Sequence, residues 1–226
     1  MGPHAREIAN EVFQVGGSGL TAPEDAAIYL LADGAEAALI DAGCGRATDL
    51  LLANIEAVGV PRTRIRYLLL THCHFDHTGG AEELRQRLEC ITIAHELDAP
   101  FIEAGDDEVS AASWYNSRLT PCPIGRKVRG PRESLALGGR TIEAIHIPGH
   151  SPGSLAYLFE SGGQRILFGQ DVHGPLAESL RSDAADYQQS LQVLLDLQAD
   201  ILCEGHYGII RGRQEVASFI RRFVAV

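Results

Sequence analysis

The segment Thr71-His72-Cys73-His74-Phe75-Asp76-His77 sets three imidazoles and a carboxylate within six positions, directly behind the apolar run 67–70. At the chain's own frequencies, about 4% His and about 6% Asp, an HxHxDH match arises by chance on the order of once per thousand such chains. Past a strand end the backbone is free to bend, so side chains at i, i+2, i+4 and i+5 can converge on one point. Four nitrogen and oxygen donors crowded there are electrostatically awkward without a cation, and imidazole with carboxylate suits Zn²⁺, Fe or Mn²⁺. Three more donors sit where a strand runs into glycine: His150 in IPGHSPGS, Asp171 in LFGQDV and His206 in LCEGHYG. Glycine beside a ligand lets the backbone turn sharply and come close. Seven donors are too many for one tetrahedral ion and suit two ions sharing a bridging group, so a binuclear site at strand ends is expected.

The elements that must position these donors follow from hydrophobic period and punctuation. Residues 12–15, 28–31 and 37–40 are apolar runs separated by GGSG and ADG, which predicts successive antiparallel strands. From Thr48, placed as an N-cap, Leu51, Ile55 and Val58 follow a helical spacing that Gly59 and Pro61 end. A helix with Ala81, Leu84 and Leu88 on one face follows the histidine segment. Strands are expected at 141–147, 155–159, 165–168 and 201–203, with helices carrying Tyr187, Leu191 and Leu194, and then Val216, Phe219, Ile220 and Phe223. Strands flanked by helices in both halves suggest two packed sheets with helices outside, and no linker divides residues 1–226, so one domain is expected. Residues 100–134, with mixed acids, Trp114, Tyr115 and several prolines, are expected to form a lid or substrate insertion.

Composition narrows the functional class. With 19 Lys plus Arg against 30 Asp plus Glu the net charge is −11, which argues against a nucleic-acid partner needing a basic face. No apolar run approaches the roughly 18 to 20 residues of a membrane span. The N-terminal MGPHAREIAN lacks the apolar centre of a secretory signal, and five scattered cysteines form no disulfide framework, so a cytoplasmic location is expected.

The motifs THCHFDH, PGHSPGS, FGQD and EGH occur in this order over residues 71–206, and with them the chain resembles the metallo-β-lactamase superfamily. The resemblance implies an α+β architecture, an αββα sandwich of two mixed sheets with metals at one edge between them. It implies that His72, His74 and His150 bind one metal, that Asp76, His77 and His206 bind a second, and that Asp171 bridges them. Asp41, in LIDAG, matches a position that supports the ligands from behind. Two divalent ions, most simply Zn²⁺ with Fe or Mn as alternatives, lower the pKa of a shared water from about 15.7 toward 7. Hydrolysis of a thioester, lactone or related ester or amide is the implied reaction, with Asp76 placed to handle the proton.

Among the superfamily's activities, β-lactam cleavage is disfavoured by Asp171 and by the lack of a signal. Glutathione thioester specificity is disfavoured because only 20 residues follow His206. A mononuclear-iron persulfide dioxygenase is the alternative from another reaction class, although QDVHGPLAE stands where an Arg-Thr-Asp signature is usual. His173 and Tyr207 are candidate substrate-binding residues; the simpler readings are a loop cap for His173 and a partly buried, ordinarily hydrogen-bonded Tyr207. His146 is expected to be packed and Cys73 to be a spectator thiol pointing away from the metals. The expected partner is a small-molecule substrate, with no nucleic acid or membrane; a homodimer is left open.

Overall fold

Along the central strands, consecutive side chains bury on opposite faces, and these two faces feed different cores. The computed structural model describes residues 4–225; residues 1–3 and 226, the extreme ends of the expected domain, lie outside the described residues. The first sheet has the order β1 (Arg6–Ala9), β2 (Val12–Gly16), β3 (Ile28–Asp33), β4 (Glu36–Ile40), β5 (Ile65–Leu69), β6 (Ile91–His95) and β7 (Arg126–Val128). Its first four strands are antiparallel neighbours, whereas β4 to β7 run parallel. The second sheet comprises β8 (Arg132–Leu137), β9 (Arg140–His146), β10 (Leu155–Ser161), β11 (Gln164–Phe168), β12 (Ile201–Glu204) and β13 (Gly208–Arg211) in spatial sequence. Only β11 and β12 pair in parallel there.

The sandwich follows from the period of two. Ala38 and Ile40 of β4, with Tyr67 and Leu69 of β5, meet Tyr157, Phe159, Ile166 and Phe168 of the second sheet in a core between the sheets. Their neighbours Leu39, Leu68 and Leu70 face outward onto α1 (Thr48–Ala57), α3 (Ala81–Leu88) and α4 (Ala99–Ala104). A single turn, α2 (Phe75–Thr78), lies between β5 and α3. On the other side Ile145, Leu158, Leu167 and Leu202 pack under α5 (Ala184–Asp196) and α6 (Arg213–Arg221). Each fully buried Leu or Phe contributes about 1.5–3 kcal/mol, so these three layers can carry a polar, strained edge. The expected αββα architecture of mixed sheets is the one observed.

Several expectations are corrected in detail. Thr48 is the first helical residue rather than the cap; Ala47 occupies the cap position, and the Thr48 hydroxyl donates to Glu83 at 2.8 Å. Helix α6 ends at Arg221, so Phe223 packs from beyond it. Strands β1, β6, β7, β8 and β13 were not expected; all but β6 are sheet edges, where one-sided burial leaves a weak pattern, and β6 is a short run, ITIAH, that Thr92 and His95 interrupt. Residues 100–134, the expected lid or substrate insertion, hold most of α4, all of β7 and the start of β8. No helix is long and apolar enough to cross a membrane among the described residues.

Candidate active site

Every donor singled out in the sequence follows a strand whose C-terminal end points to one edge of the sandwich. Asp41 follows β4, the segment 71–77 follows β5, His150 lies in the loop after β9, Asp171 follows β11, and His206 follows β12. Parallel pairing of β4 with β5 and of β11 with β12 puts these ends side by side, as in other open sheets whose strands deliver ligands at their carboxyl ends. His74 is still extended (φ −71°, ψ 150°), and the α2 turn behind it then presents Asp76 and His77 together.

Asp171 stands between two sets of imidazoles. Its Oδ2 is 3.4 Å from His150 Nε2 and 3.9 Å from His72 Nε2. Its Oδ1 is 3.3 Å from His77 Nε2 and 3.4 Å from His206 Nε2. Asp76 Oδ2 lies 3.2 Å from His206 Nε2 and 3.7 Å from His77 Nε2. Two groups of metal-competent atoms result, His72, His74, His150 with Asp171, and Asp76, His77 with His206; a third grouping joins Asp171, His173 and His206. The Nε2 atoms of His72, His74, His77 and His150 and Asp171 Oδ1 are buried without a hydrogen-bond partner. Buried polar atoms are seldom left unpaired, so a cluster of them aimed at common points fits divalent cations.

The hydrogen bonds behind the ligands fix which ring nitrogen faces inward. Asp41, fully buried and with φ 64°, accepts from the Thr71 N–H (2.8 Å), the Thr71 hydroxyl (2.8 Å), His77 Nδ1 (2.7 Å) and Gln170 Nε2 (2.5 Å). With the Nδ1 proton held there, Nε2 is the nitrogen that offers a lone pair once His77 is neutral. The His150 ring donates from Nδ1 to the Pro175 carbonyl at 2.9 Å, with the same outcome. Gln170, beside Asp171, and Glu204, two residues before His206, were missed by sequence reasoning although both stand inside quoted motifs. Nothing but their place beside a ligand marked them. Buried Glu204 accepts from His206 N–H (2.8 Å), Tyr207 N–H (2.9 Å) and His173 Nδ1 (2.7 Å), and so shapes the whole turn.

Protonation in the metal-free protein follows from burial and neighbours. Burial, reinforced by the surrounding imidazoles, holds His72 and His74 well below the ordinary histidine range, so both are neutral, the form that ligates. Burial opposes charge on His77 too, but Asp171, Asp76 and Asp41 outweigh it and raise its pKa well above the usual value. His206 is likewise pushed up, against burial, to about 10 by the Asp171 and Asp76 carboxylates beside its Nε2. Two imidazolium charges thus balance the carboxylates here, the role divalent cations would take over.

Beside the donors lies a cavity of 260 Å³ lined by His74, Asp76, His150, Asp171, His173 and His206 on one side. It is also lined by Ala111, Trp114, Tyr115, Pro175 and Leu180. Tyr115, read in the sequence only as part of a loop, is held by tilted ring packing against Phe75 (5.4 Å between centroids) and by Arg46, which donates to its carbonyl at 3.0 Å. His173 lines this cavity, as its candidacy requires. Tyr207 does not: it is 61% exposed, with its ring against His173 and Phe219, because the Glu204 turn aims it outward, and it is not the partly buried tyrosine expected. His146 stacks on His95, and Cys73 is buried in the apolar layer beneath α1, as expected of a packed ring and a spectator thiol.

A family model described as the metallo-beta-lactamase superfamily matches residues 22–206, most of the chain. The chain belongs to that superfamily. Among its superfamily relatives, an atrochrysone carboxyl ACP thioesterase of Aspergillus fumigatus is 30% identical over 83% of this chain and 52% of its own length. The probable metallo-hydrolase MJ0888 of Methanocaldococcus jannaschii is 30% identical over 54% of this chain and 57% of its own length. The chain thus spans about half the length of these two. The acyl-coenzyme A thioesterase MBLAC2 of Gallus gallus is 30% identical over 80% of this chain and 72% of its own. In structure, a B3 metallo-beta-lactamase with an active-site glutamic acid superposes with a TM-score of 0.82 at 22% identity, over 98% of this chain and 88% of that one. The superfamily sandwich is therefore shared, and its edge carries a cluster of His and Asp whose donor atoms could hold divalent cations.

Proposed function

We propose that the protein is a binuclear zinc hydrolase that cleaves thioesters, with lactones as the related substrate class. The observation that carries this reading is Asp171, one carboxylate whose two oxygens face two separate groups of imidazoles. His72, His74 and His150 would hold one ion, Asp76, His77 and His206 the other, and Asp171 both; His77 and His206 shed the protons they carry in the metal-free state. Two ions so held supply a nucleophilic hydroxide near neutral pH and an electrophile for a carbonyl oxygen.

The rest of the reading rests on the chain's own groups. Ala111, Trp114, Tyr115, Pro175 and Leu180 supply the apolar part of the lining, and no Lys or Arg among the described residues lines the cavity, which suits an uncharged acyl group. Asp76, buried beside the cavity, is placed to take the proton released as water adds to the carbonyl. His173, its Nδ1 donating to Glu204, lines the same cavity and can accept at Nε2 from a water or a substrate hydroxyl. A thiol leaving group, with a pKa near 8.5, departs as thiolate and needs no strong acid. The names of the two thioesterase relatives support this substrate class.

The test is a panel of acyl thioesters, lactones and β-lactams offered to zinc-loaded protein, with metal analysis of the same sample. Thioester turnover with close to two metals per chain is expected, and Asp171→Ala loses most of it. One iron per chain with oxygen uptake on a persulfide, or full turnover by Asp171→Ala, overturns the reading.

A further inference from the structure

A carboxylate outside the ligand set joins the two sheets where their donor loops meet. Asp98, in the turn after β6, is fully buried. Its Oδ2 accepts from the Cys73 N–H at 3.0 Å and from the Ser151 hydroxyl at 2.5 Å, and its Oδ1 accepts from the Gly153 N–H at 2.6 Å. Cys73 lies between His72 and His74, and Ser151 follows His150. One side chain therefore grips the backbone beside three imidazoles, two carried by the first sheet and one by the second.

Two further features show that the approach is built. Gly153 has no need of glycine on backbone grounds, yet a Cβ there would stand 2.5 Å from the Asp98 nitrogen and 2.8 Å from its Cβ, so the missing side chain is what lets the loop close on Asp98. In the same turn, the His95 ring stacks on His146 at 3.8 Å and 7°, and His146 Nε2 bonds the Pro152 carbonyl at 2.9 Å. The Ser151 hydroxyl is also oriented by Ser154, whose Oγ is 2.8 Å away and accepts from the Ser151 N–H at 3.0 Å.

We propose that Asp98 is a positioning residue for the metal held by His72, His74 and His150: its carboxylate sets the separation of the 71–77 and 147–154 loops, and so preorganises three imidazoles for one divalent ion. Asp98 touches none of the donor nitrogens. It acts through the backbone of Cys73 and Gly153 and through Ser151. In the second group His77 is held by Asp41 and His206 by Glu204, so two of its three donors have anchors of their own and should feel the loss of Asp98 less. The inference rests on the two-ion reading of the site, and goes beyond it by predicting that the two ions respond unequally.

Metal-free wild type, Asp98→Asn and Ser151→Ala are titrated with Co²⁺ and with Zn²⁺ against a chromophoric chelator, and their metal-free melting is recorded. His150→Ala and His206→Ala identify, by the Co²⁺ absorption each loses, which equivalent belongs to which group. Asp98→Asn is expected to bind the His150-dependent equivalent about 10- to 100-fold more weakly, the usual effect of removing a ligand's supporting partner, with the His206-dependent equivalent shifted less than about threefold. Ser151→Ala should weaken the same equivalent by a smaller factor, and the double variant should be no weaker than Asp98→Asn alone. Asp200→Asn serves as a structural comparator: it loosens the bond to the Arg165 N–H, lowers melting and leaves both affinities unchanged. Equal weakening of both equivalents, or lowered melting with unchanged affinities, overturns the proposal. If Asp98→Asn does not fold, selective weakening in Ser151→Ala upholds the proposal and its absence overturns it. Wild type binding a single ion would sink the two-ion reading, and dependence of that ion on Asp98 would still decide the positioning role.

Discussion

Replacing Asp41 by Asn keeps the shape of the side chain and forces a choice that the structure makes costly either way. The carboxylate meets only donors: Oδ1 takes the Thr71 N–H, and Oδ2 takes His77 Nδ1 and the Gln170 amide. An asparagine has one oxygen. If its NH₂ faces Thr71, two N–H groups confront one another in a fully buried place, and the unsatisfied donor costs about 1–3 kcal/mol of stability. If its NH₂ faces His77, the imidazole must accept at Nδ1 and carry its proton on Nε2, the atom that faces Asp171 and Asp76. A protonated Nε2 does not ligate, so the His77-dependent ion is expected to bind about 10- to 100-fold more weakly, equivalent to about 1.4–2.7 kcal/mol. The assay is paired: urea unfolding of the metal-free variant, and Zn²⁺ competition with a chelator. A shortfall must show in one measurement or the other. If metal-free stability and both affinities match wild type, the assigned His77 tautomer and the reasoning from it are wrong.

Two further outcomes are expected. His95, 3% exposed, has its pKa pushed down to about 4, first by burial and then by the adjoining His146. Because the unfolded chain takes up that proton near pH 6.5, this group's contribution is intact above pH 6.5 and is lost as pH falls toward 4, about 2–3 kcal/mol between pH 7 and 4.5. His95→Phe should therefore lose less stability over that interval in urea titrations, and an unchanged pH dependence would contradict the assignment. Trp114→Ala removes an exposed ring from the apolar part of the cavity lining. It should raise KM for apolar acyl thioesters about fivefold, roughly 1 kcal/mol, with kcat within twofold; a fall in kcat at constant KM would place Trp114 in the chemistry instead.

Seven of the site's residues and the layers that carry them could be read from the chain, because each leaves a local mark. Metal donors are rare residue types set at strand ends beside glycine, and a central strand such as β4 or β11 buries both faces and reads as an apolar run. Edge strands β1, β7, β8 and β13 bury one side only, so their residues look like loop. Gln170, Glu204, Tyr115 and Asp98 leave no such mark, since their roles depend on partners far away in sequence: Asp41 for Gln170, His173 for Glu204, Phe75 for Tyr115, Ser151 for Asp98. Local order alone determined which atoms can bind metal and in what order they arrive. The tertiary structure decided the rest. Only the pairing of parallel strand ends across two sheets turns Asp171 toward both groups of imidazoles, and only acceptors from distant loops, the Asp41 carboxylate for His77 and the Pro175 carbonyl for His150, select the ring nitrogens that face it.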